Sequence, residues 1–381
     1  MRFASDAARV DAGLKVGVTL FIRGGRQSLW ENGIHQNGNF LLMTLLRSPI
    51  VAQCFVVNGA SQAAHEGGNF EAELICPVID LAEAMNTLDV VIELGAHLKD
   101  AWAADFRARG GRIIGMRVAN DYVIDMESMA NNRPPGQLVH GIAYDQVWTL
   151  AAFARTNAAY YANLLRAPVR QMPHLWSPML IERDAQATGR PWGYTPDGAP
   201  WRIAILEPNL CSVKTCHVPM LICERVYRES PDAIAAAQVF NTDRFNKGQY
   251  FAQFASALDI VRDGKVKFRL RYKISKIMHE YANCIVSHHV DNAQNYLYYE
   301  AIYGAYPLIH NSDLLGDCGY RYRDFDCADG AGALTTAMAH HDADLDTYRA
   351  RGRDFLKTLD PCGDDNVALY TAAIRDCFAQ A

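Results

Sequence analysis

The sequence predicts an α/β protein of two domains, each a mostly parallel sheet with helices on both faces. Three observations lead there. Short β-branched runs alternate with stretches of helical apolar spacing along the whole chain. The alternation breaks once, in a polar stretch rich in Gly and Pro. The chain also has 381 residues, half of them hydrophobic, which is enough for two sizeable cores.

In the first half, residues 16–22 read as a strand ending at Gly24-Gly25, and residues 39–46 as a helix that stops before Pro49. Strands follow at 52–57, 88–94, 112–118, 146–148 and 169–172, with helices at 101–109 and 156–165. Residues 182–200 are polar and carry several Gly and Pro, a composition that suits a linker. Strands resume at 201–206, 237–241, 266–271, 284–287 and 307–310. Helices are expected at 219–229, 246–258, 274–281, 293–303, 344–357 and 366–378. The expected domains are 1–185 and 201–365, with a linker at 186–200 and a closing helix in 366–381 that returns to the first domain. Two such domains form a cleft, and loops at the carboxyl ends of parallel strands line it.

Composition narrows the function. A formal net charge of -5 with no basic tail gives no support to a general nucleic-acid binder. The N-terminal stretch lacks an apolar signal core, and no run is long enough for a transmembrane helix. Ten cysteines are then expected as reduced thiols in a cytoplasmic protein. Cys211 and Cys216 lack a second close pair, and Asp324-Phe325-Asp326 reads as a loop, so neither a metal nor another cofactor is expected. A dinucleotide fingerprint, a phosphate-binding Gly-Lys-Ser/Thr loop and a nucleophile elbow are all missing.

The segment CIVSHHVDNAQNYLYYEAIYGAYPLIHNS, residues 284–312, carries the most chemistry. A strand delivers His288, His289 and Asp291 into a loop, Asn292 is placed to cap the following helix, and Glu300 lies within that helix. A helix N-terminus attracts phosphate, and a carboxylate one or two turns on can accept two hydrogen bonds from a ribose diol. The alternative is a plain βαβ unit with Glu300 solvated.

This order of loop, helix with an acidic residue, Gly304 and strand resembles the donor motif of GT-B glycosyltransferases, many of which place two glutamates seven residues apart. Glu300 matches the second; the first falls on Asn292, a departure, with Asp291 adjacent. The stretches SLWENGIHQNGNFLL, VKTCHVPMLICE and NYLYYEAIYGAYPLIHNS are similar to a bacterial family known only as a domain of unknown function. The resemblance implies two Rossmann-like domains facing across a cleft, a nucleotide-diphosphate sugar as donor, and a hydroxyl acceptor. That acceptor is left open among polysaccharide, lipid-linked sugar, protein and modified nucleic-acid base. It implies donor contacts from Lys214 at the diphosphate and Glu300 at the ribose, with Asn209, Arg271, His288, Asp291, Asn292 and Asn295 around them. Arg269, Arg271 and Lys273 alternate and would share one strand face, as charges protecting a sheet edge also do.

On the acceptor side, the polar loop 30–39 offers Glu31, His35, Gln36 and Asn37. His35 suits a general base because an imidazole titrates near neutrality, and Glu93, at a strand end, is a second catalytic candidate. Packing within the loop is the alternative for His35. An epimerase using the same donor pocket, and a non-catalytic nucleotide-sugar binder, are the competing functions.

Overall fold

The computed structural model describes residues 6–23, 27–30, 32–59, 73–133, 140–198, 200–243 and 249–379. Gly24-Gly25 and Glu31, expected near the acceptor, lie outside them. The chain divides into two compact units, Met1–Ser177 with Leu359–Ala381, and Pro178–Thr358.

The first unit contains β1 (Leu14–Leu20), β2 (Val51–Asn58), β3 (Val78–Ile79), β4 (Val90–Gly95), β5 (Arg112–Arg117), β6 (Gln146–Leu150) and β7 (Val169–Met172). Among the described residues these form one parallel sheet in the order β3-β2-β1-β4-β5-β6-β7. Helices cover both faces, so β4 and β6 are buried throughout and their sequences, VVIELG and QVWTL, lack polar alternation. Val91, Ile113 and Val147 pack there with Phe106, Tyr161 and Leu165. The last helix, Asp364–Ala379, belongs to this unit. Its Thr371 hydroxyl lies 2.7 Å from that of Ser48, and the Tyr370 hydroxyl donates to the Pro173 carbonyl at 2.8 Å.

The second unit contains β8 (Trp201–Ile205), β9 (Ile234–Val239), β10 (Val266–Phe268), β11 (Cys284–Val286), β12 (Leu308–His310) and β13 (Tyr320–Arg321). These are again parallel, in the order β10-β9-β8-β11-β12-β13. Its core joins Ile203, Ile205, Val239, Val286 and Ile309 to Met220, Ile222 and Leu334 of the flanking helices. In both sheets the order reverses between the first and fourth strands, β1 beside β4 and β8 beside β11. Connections leave such a pair in opposite directions, which opens a crevice beyond the carboxyl ends where ligands bind.

Several expectations are corrected. Residues 179–188 form a helix, Met179–Thr188, because Leu180 and Ile181 supply a buried face beneath the charged residues; Gly189, at φ +66°, ends it. The polar stretch is therefore in part structured, and the unit boundary falls at Ser177/Pro178. The final segment joins the first unit from Leu359. The helix expected from residue 39 begins at Gly33, capped by the Asn32 side chain. Strand β10 ends at Phe268, so Arg269, Arg271 and Lys273 do not share a strand face. The helix expected from residue 293 begins at Tyr296 with Asn295, not Asn292, as its cap.

Gly304 closes that helix for a steric reason. A Cβ there would lie 2.5 Å from Trp192 Nε1 and 2.8 Å from the Tyr306 ring. The bare Cα lets the Trp192 indole donate to the Glu300 carbonyl at 2.9 Å. Gly304→Ala should therefore cost about 1–3 kcal/mol by overpacking. Gly332, in the exposed interior of the helix Cys327–His340, has open space where its Cβ would go. Gly332→Ala should instead gain about 0.5–1 kcal/mol. Denaturant titration of the two variants checks the opposite signs.

Candidate functional site

The crevice of the second unit is organised by one carboxylate. Strand β8 runs out two residues before Glu207, which is buried. Its Oε1 accepts from the Ser287 hydroxyl at 2.6 Å and from the His288 N–H at 2.7 Å, both just beyond β11. Burial pushes Glu207 up to about 7, against the opposing pull of Ser287, the His288 N–H and Lys214. Asn209 sits at φ +54°, where an Asn side chain is tolerated better than most. Its Oδ1 accepts from the Cys216 N–H at 2.9 Å and its Nδ2 donates to the Glu207 carbonyl at 2.9 Å. Asn209 thus shapes the loop that presents Lys214. Val290 N–H to the Val213 carbonyl, at 2.8 Å, ties this loop to the one after β11. Burial brings the Lys214 ammonium down to about 8, with Glu207 holding it up.

Two histidines present opposite hydrogen-bonding faces. The Tyr322 hydroxyl donates to the Ser287 carbonyl, so His288 Nδ1, 2.9 Å from that hydroxyl, is the N–H donor. His288 Nε2 is then an acceptor. His289 Nδ1 accepts from the Asn292 N–H at 3.1 Å, so its Nε2 carries the proton. Burial lowers His288 to about 4, and burial with the Lys214 charge lowers His289 to about 3, so both are neutral near pH 7. Both Nε2 atoms, the Asn292 Oδ1 and the Gln294 Oε1 are buried without a hydrogen-bond partner. Such atoms are costly unless a ligand or water satisfies them.

Glu300 lies in the helix Tyr296–Tyr303 and is buried. Burial, then the charge of Asp184, raises it to about 8, and no hydrogen bond supports its ionised form. Asn295 Oδ1 caps the helix by accepting from the Leu297 N–H at 3.3 Å. Asp291 adopts φ +45° in the loop before it. Arg271 is exposed beyond the end of β10.

In the first unit, His35, Gln36 and Asn37 are buried in the opening turns of the helix Gly33–Leu46, not in a loop. The Gly- and Asn-rich composition reads as loop, but the Asn32 cap and a buried face support the helix. His35 Nε2 lies 3.3 Å from Gln27 Nε2, and Asn37 Nδ2 donates to the Gly33 carbonyl at 2.9 Å.

Glu93, near the end of β4, is wholly buried. Its Oε1 accepts from Arg117 at 2.8 Å and from the Tyr144 hydroxyl at 2.7 Å, and its Oε2 from the Leu98 N–H at 3.0 Å. Burial alone would raise it, but His97, the Arg117 charge and Leu98 outweigh that and bring it to about 2. A carboxylate so stabilised is a poor proton acceptor near neutrality, which corrects the direct catalytic role expected of it. Glu93, His97 and His140 also bring three ligand-type atoms within 4.8 Å of one another, a grouping the sequence did not suggest. Arg117, Tyr144, His97 and His140 were absent from the expected site. Their signal was position alone: Arg117 closes a strand, and His97 stands two residues past one.

Glu93→Gln should destabilise the protein by about 3–5 kcal/mol, because Arg117 would keep its charge in a buried place without a counter-ion. The folded value lies below the unfolded one of about 4.3. The Glu93 contribution is therefore present above that pH and lost as pH falls toward 2. Denaturant midpoints of wild type and variant should converge over that acid range.

Comparison with known proteins follows the fold. Anabaena HepE, solved in complex with UDP and glucose, is similar at 12% identity and TM-score 0.55, covering 97% of this chain and all of that one. A glycosyltransferase from Rickettsia africae gives 10% identity and TM-score 0.58, covering 97% and 99%. The sucrose-phosphate synthase of Thermosynechococcus elongatus gives 12% and 0.54, covering 97% and 100%. These neighbours are GT-B glycosyltransferases, and the architecture is theirs: two Rossmann-like units. No curated protein matches in sequence. A family described as "Protein of unknown function (DUF2827)" matches residues 16–374, and the chain belongs to that family.

Proposed function

We propose that the protein is a glycosyltransferase that moves a sugar from a nucleotide-diphosphate donor, held by the second unit, to a hydroxyl acceptor. The observation that carries this reading is the set of unsatisfied buried polar atoms at the reversal between β8 and β11. They combine what such a donor requires. Lys214 supplies a cation for the diphosphate, His289 Nε2–H and His288 Nε2 a donor and an acceptor, and Glu300 a carboxylate for the ribose diol. The likeness of the fold to HepE, solved with UDP and glucose, supports the same reading. Charge on the departing diphosphate would be met by Lys214 and His289, with no metal in the scheme.

Thermal shifts against a panel of nucleotide sugars identify the donor, and product analysis separates transfer from epimerisation and from binding alone. Ligand hydroxyls donate to the ionised form of Glu300, so binding removes its proton. Donor affinity should rise with pH between about 7 and 8, then fall as Lys214 loses its charge. Glu300→Gln should abolish the rise and weaken affinity by about tenfold to a hundredfold, since each lost charge-assisted bond is worth roughly 1.5–3 kcal/mol while the amide keeps weaker ones. Calorimetric titration of wild type and variant across that range reads both effects. Equal affinities and equal pH profiles would remove Glu300 from the donor site.

A further inference from the structure

We propose that His97 is the general base that takes the proton from the acceptor hydroxyl, with Glu93 as its positioning residue. The proposal rests on the transferase reading above. It starts from the strand reversal of the first unit, between β1 and β4, and from what holds the turn after β4 in place.

That turn is pinned on both sides of His97. The Thr19 hydroxyl, from β1, donates to the Ala96 carbonyl at 2.6 Å and accepts from the Leu94 N–H at 3.0 Å. The Leu98 N–H donates to Glu93 Oε2 at 3.0 Å. Between these anchors His97 Nδ1 is buried and lies 3.2 Å from Glu93 Oε1. Glu93 is fully buried, and Arg117 and Tyr144 hold it in fixed orientation. An ionised carboxylate facing Nδ1 selects the tautomer with the proton on Nδ1. Nε2 then keeps its lone pair, on a side chain 29% exposed, and makes no hydrogen bond to a described residue. A buried carboxylate that orients an accessible imidazole is the arrangement by which enzymes activate hydroxyl groups. His35 is less suited: it is buried within its helix, with Gln27 against its Nε2.

The same three groups could be read as ligands for a divalent cation, but their bonding disfavours it. Arg117 already brings a positive charge 2.8 Å from Glu93 Oε1. The Ile142 N–H donates to His140 Nδ1 at 3.3 Å, which leaves the proton of neutral His140 on Nε2, 3.1 Å from the Tyr144 hydroxyl. His140 therefore has no free lone pair for a metal, and His97 has one for a proton.

In the step proposed, the acceptor O–H bond breaks and its proton passes to His97 Nε2. The oxygen forms a bond to the anomeric carbon of the donor. The bond from that carbon to the diphosphate oxygen breaks, and the electron pair leaves with the nucleoside diphosphate. The imidazolium, facing Glu93, then releases its proton to solvent. The titratable and charged groups around His97 are Glu93 from β4, Arg117 from β5, Asp121 at the start of the next helix, and His140 and Tyr144 before β6.

The test uses the full-length protein, with His97→Ala, His97→Gln and Glu93→Gln, and the nucleotide sugar that wild type turns over. Nucleotide affinity and melting temperature of both His97 variants should match wild type. Their kcat should fall by about 10²–10⁴-fold, with loss of the acidic limb of the pH–rate profile. Added imidazole should restore part of the rate in His97→Ala. In nitrogen-detected NMR, wild-type His97 should show the proton on Nδ1, and Glu93→Gln should lose that tautomer preference and shift the acidic limb. A kcat within threefold of wild type in both His97 variants would overturn the proposal and leave the transferase reading standing. A wild type that binds no nucleotide sugar would overturn the reading itself, and the catalytic step with it. His97 protonated on Nε2 would overturn the role of Glu93 in either case.

Discussion

Each unit depends on a buried carboxylate at the place where its strand order reverses. Two parallel strands whose connections leave in opposite directions expose a crevice lined by backbone ends and polar loops. Something must satisfy those groups or the loops will not hold a shape. In the second unit Glu207 does so, joining the end of β8 to Ser287 and His288 beyond β11. In the first unit Glu93 plays the corresponding part, joining β4 to Arg117 on β5 and to the turn at Leu98. The reactive groups are those that these carboxylates leave unsatisfied.

Three glutamates show how partners, more than burial, decide ionisation. All are buried. Glu93 has a guanidinium and three hydrogen-bonding neighbours and falls to about 2. Glu207 has a hydroxyl, a backbone N–H and a more distant ammonium, and rises to about 7. Glu300 has no donor and the charge of Asp184 nearby, and rises to about 8. The first is a fixed anion with a structural and orienting task. The last pays for burial without compensation, which makes sense if a ligand supplies the missing donors.

Much of this was legible in the sequence. Uninterrupted apolar runs such as VVIEL mark strands covered on both faces, and the turn residues after them mark where function would lie. Lys214, His288 and Glu300 could be placed because each follows a strand or sits one helix beyond it. Other features were hidden. The helix Met179–Thr188 looked like linker because only two adjacent residues, Leu180 and Ile181, announce its buried face. The helix Cys327–His340 is rich in Gly and Ala, and its Gly330 is needed to admit Ile222, a packing demand that no local pattern reveals. Strands β3 and β13 have two residues each, too few to show a period. The pairing of Glu93 with Arg117 and His97 is a contact between neighbouring strands and a turn, and spacing along the chain cannot express it.

The most direct test of the account is a crystal structure of the protein with a bound nucleoside diphosphate. The account expects the diphosphate within hydrogen-bond distance of Lys214 Nζ and His289 Nε2, and the ribose hydroxyls on the Glu300 carboxylate. A nucleotide bound elsewhere, with the buried polar atoms of His288, His289 and Asn292 still unsatisfied, would contradict it.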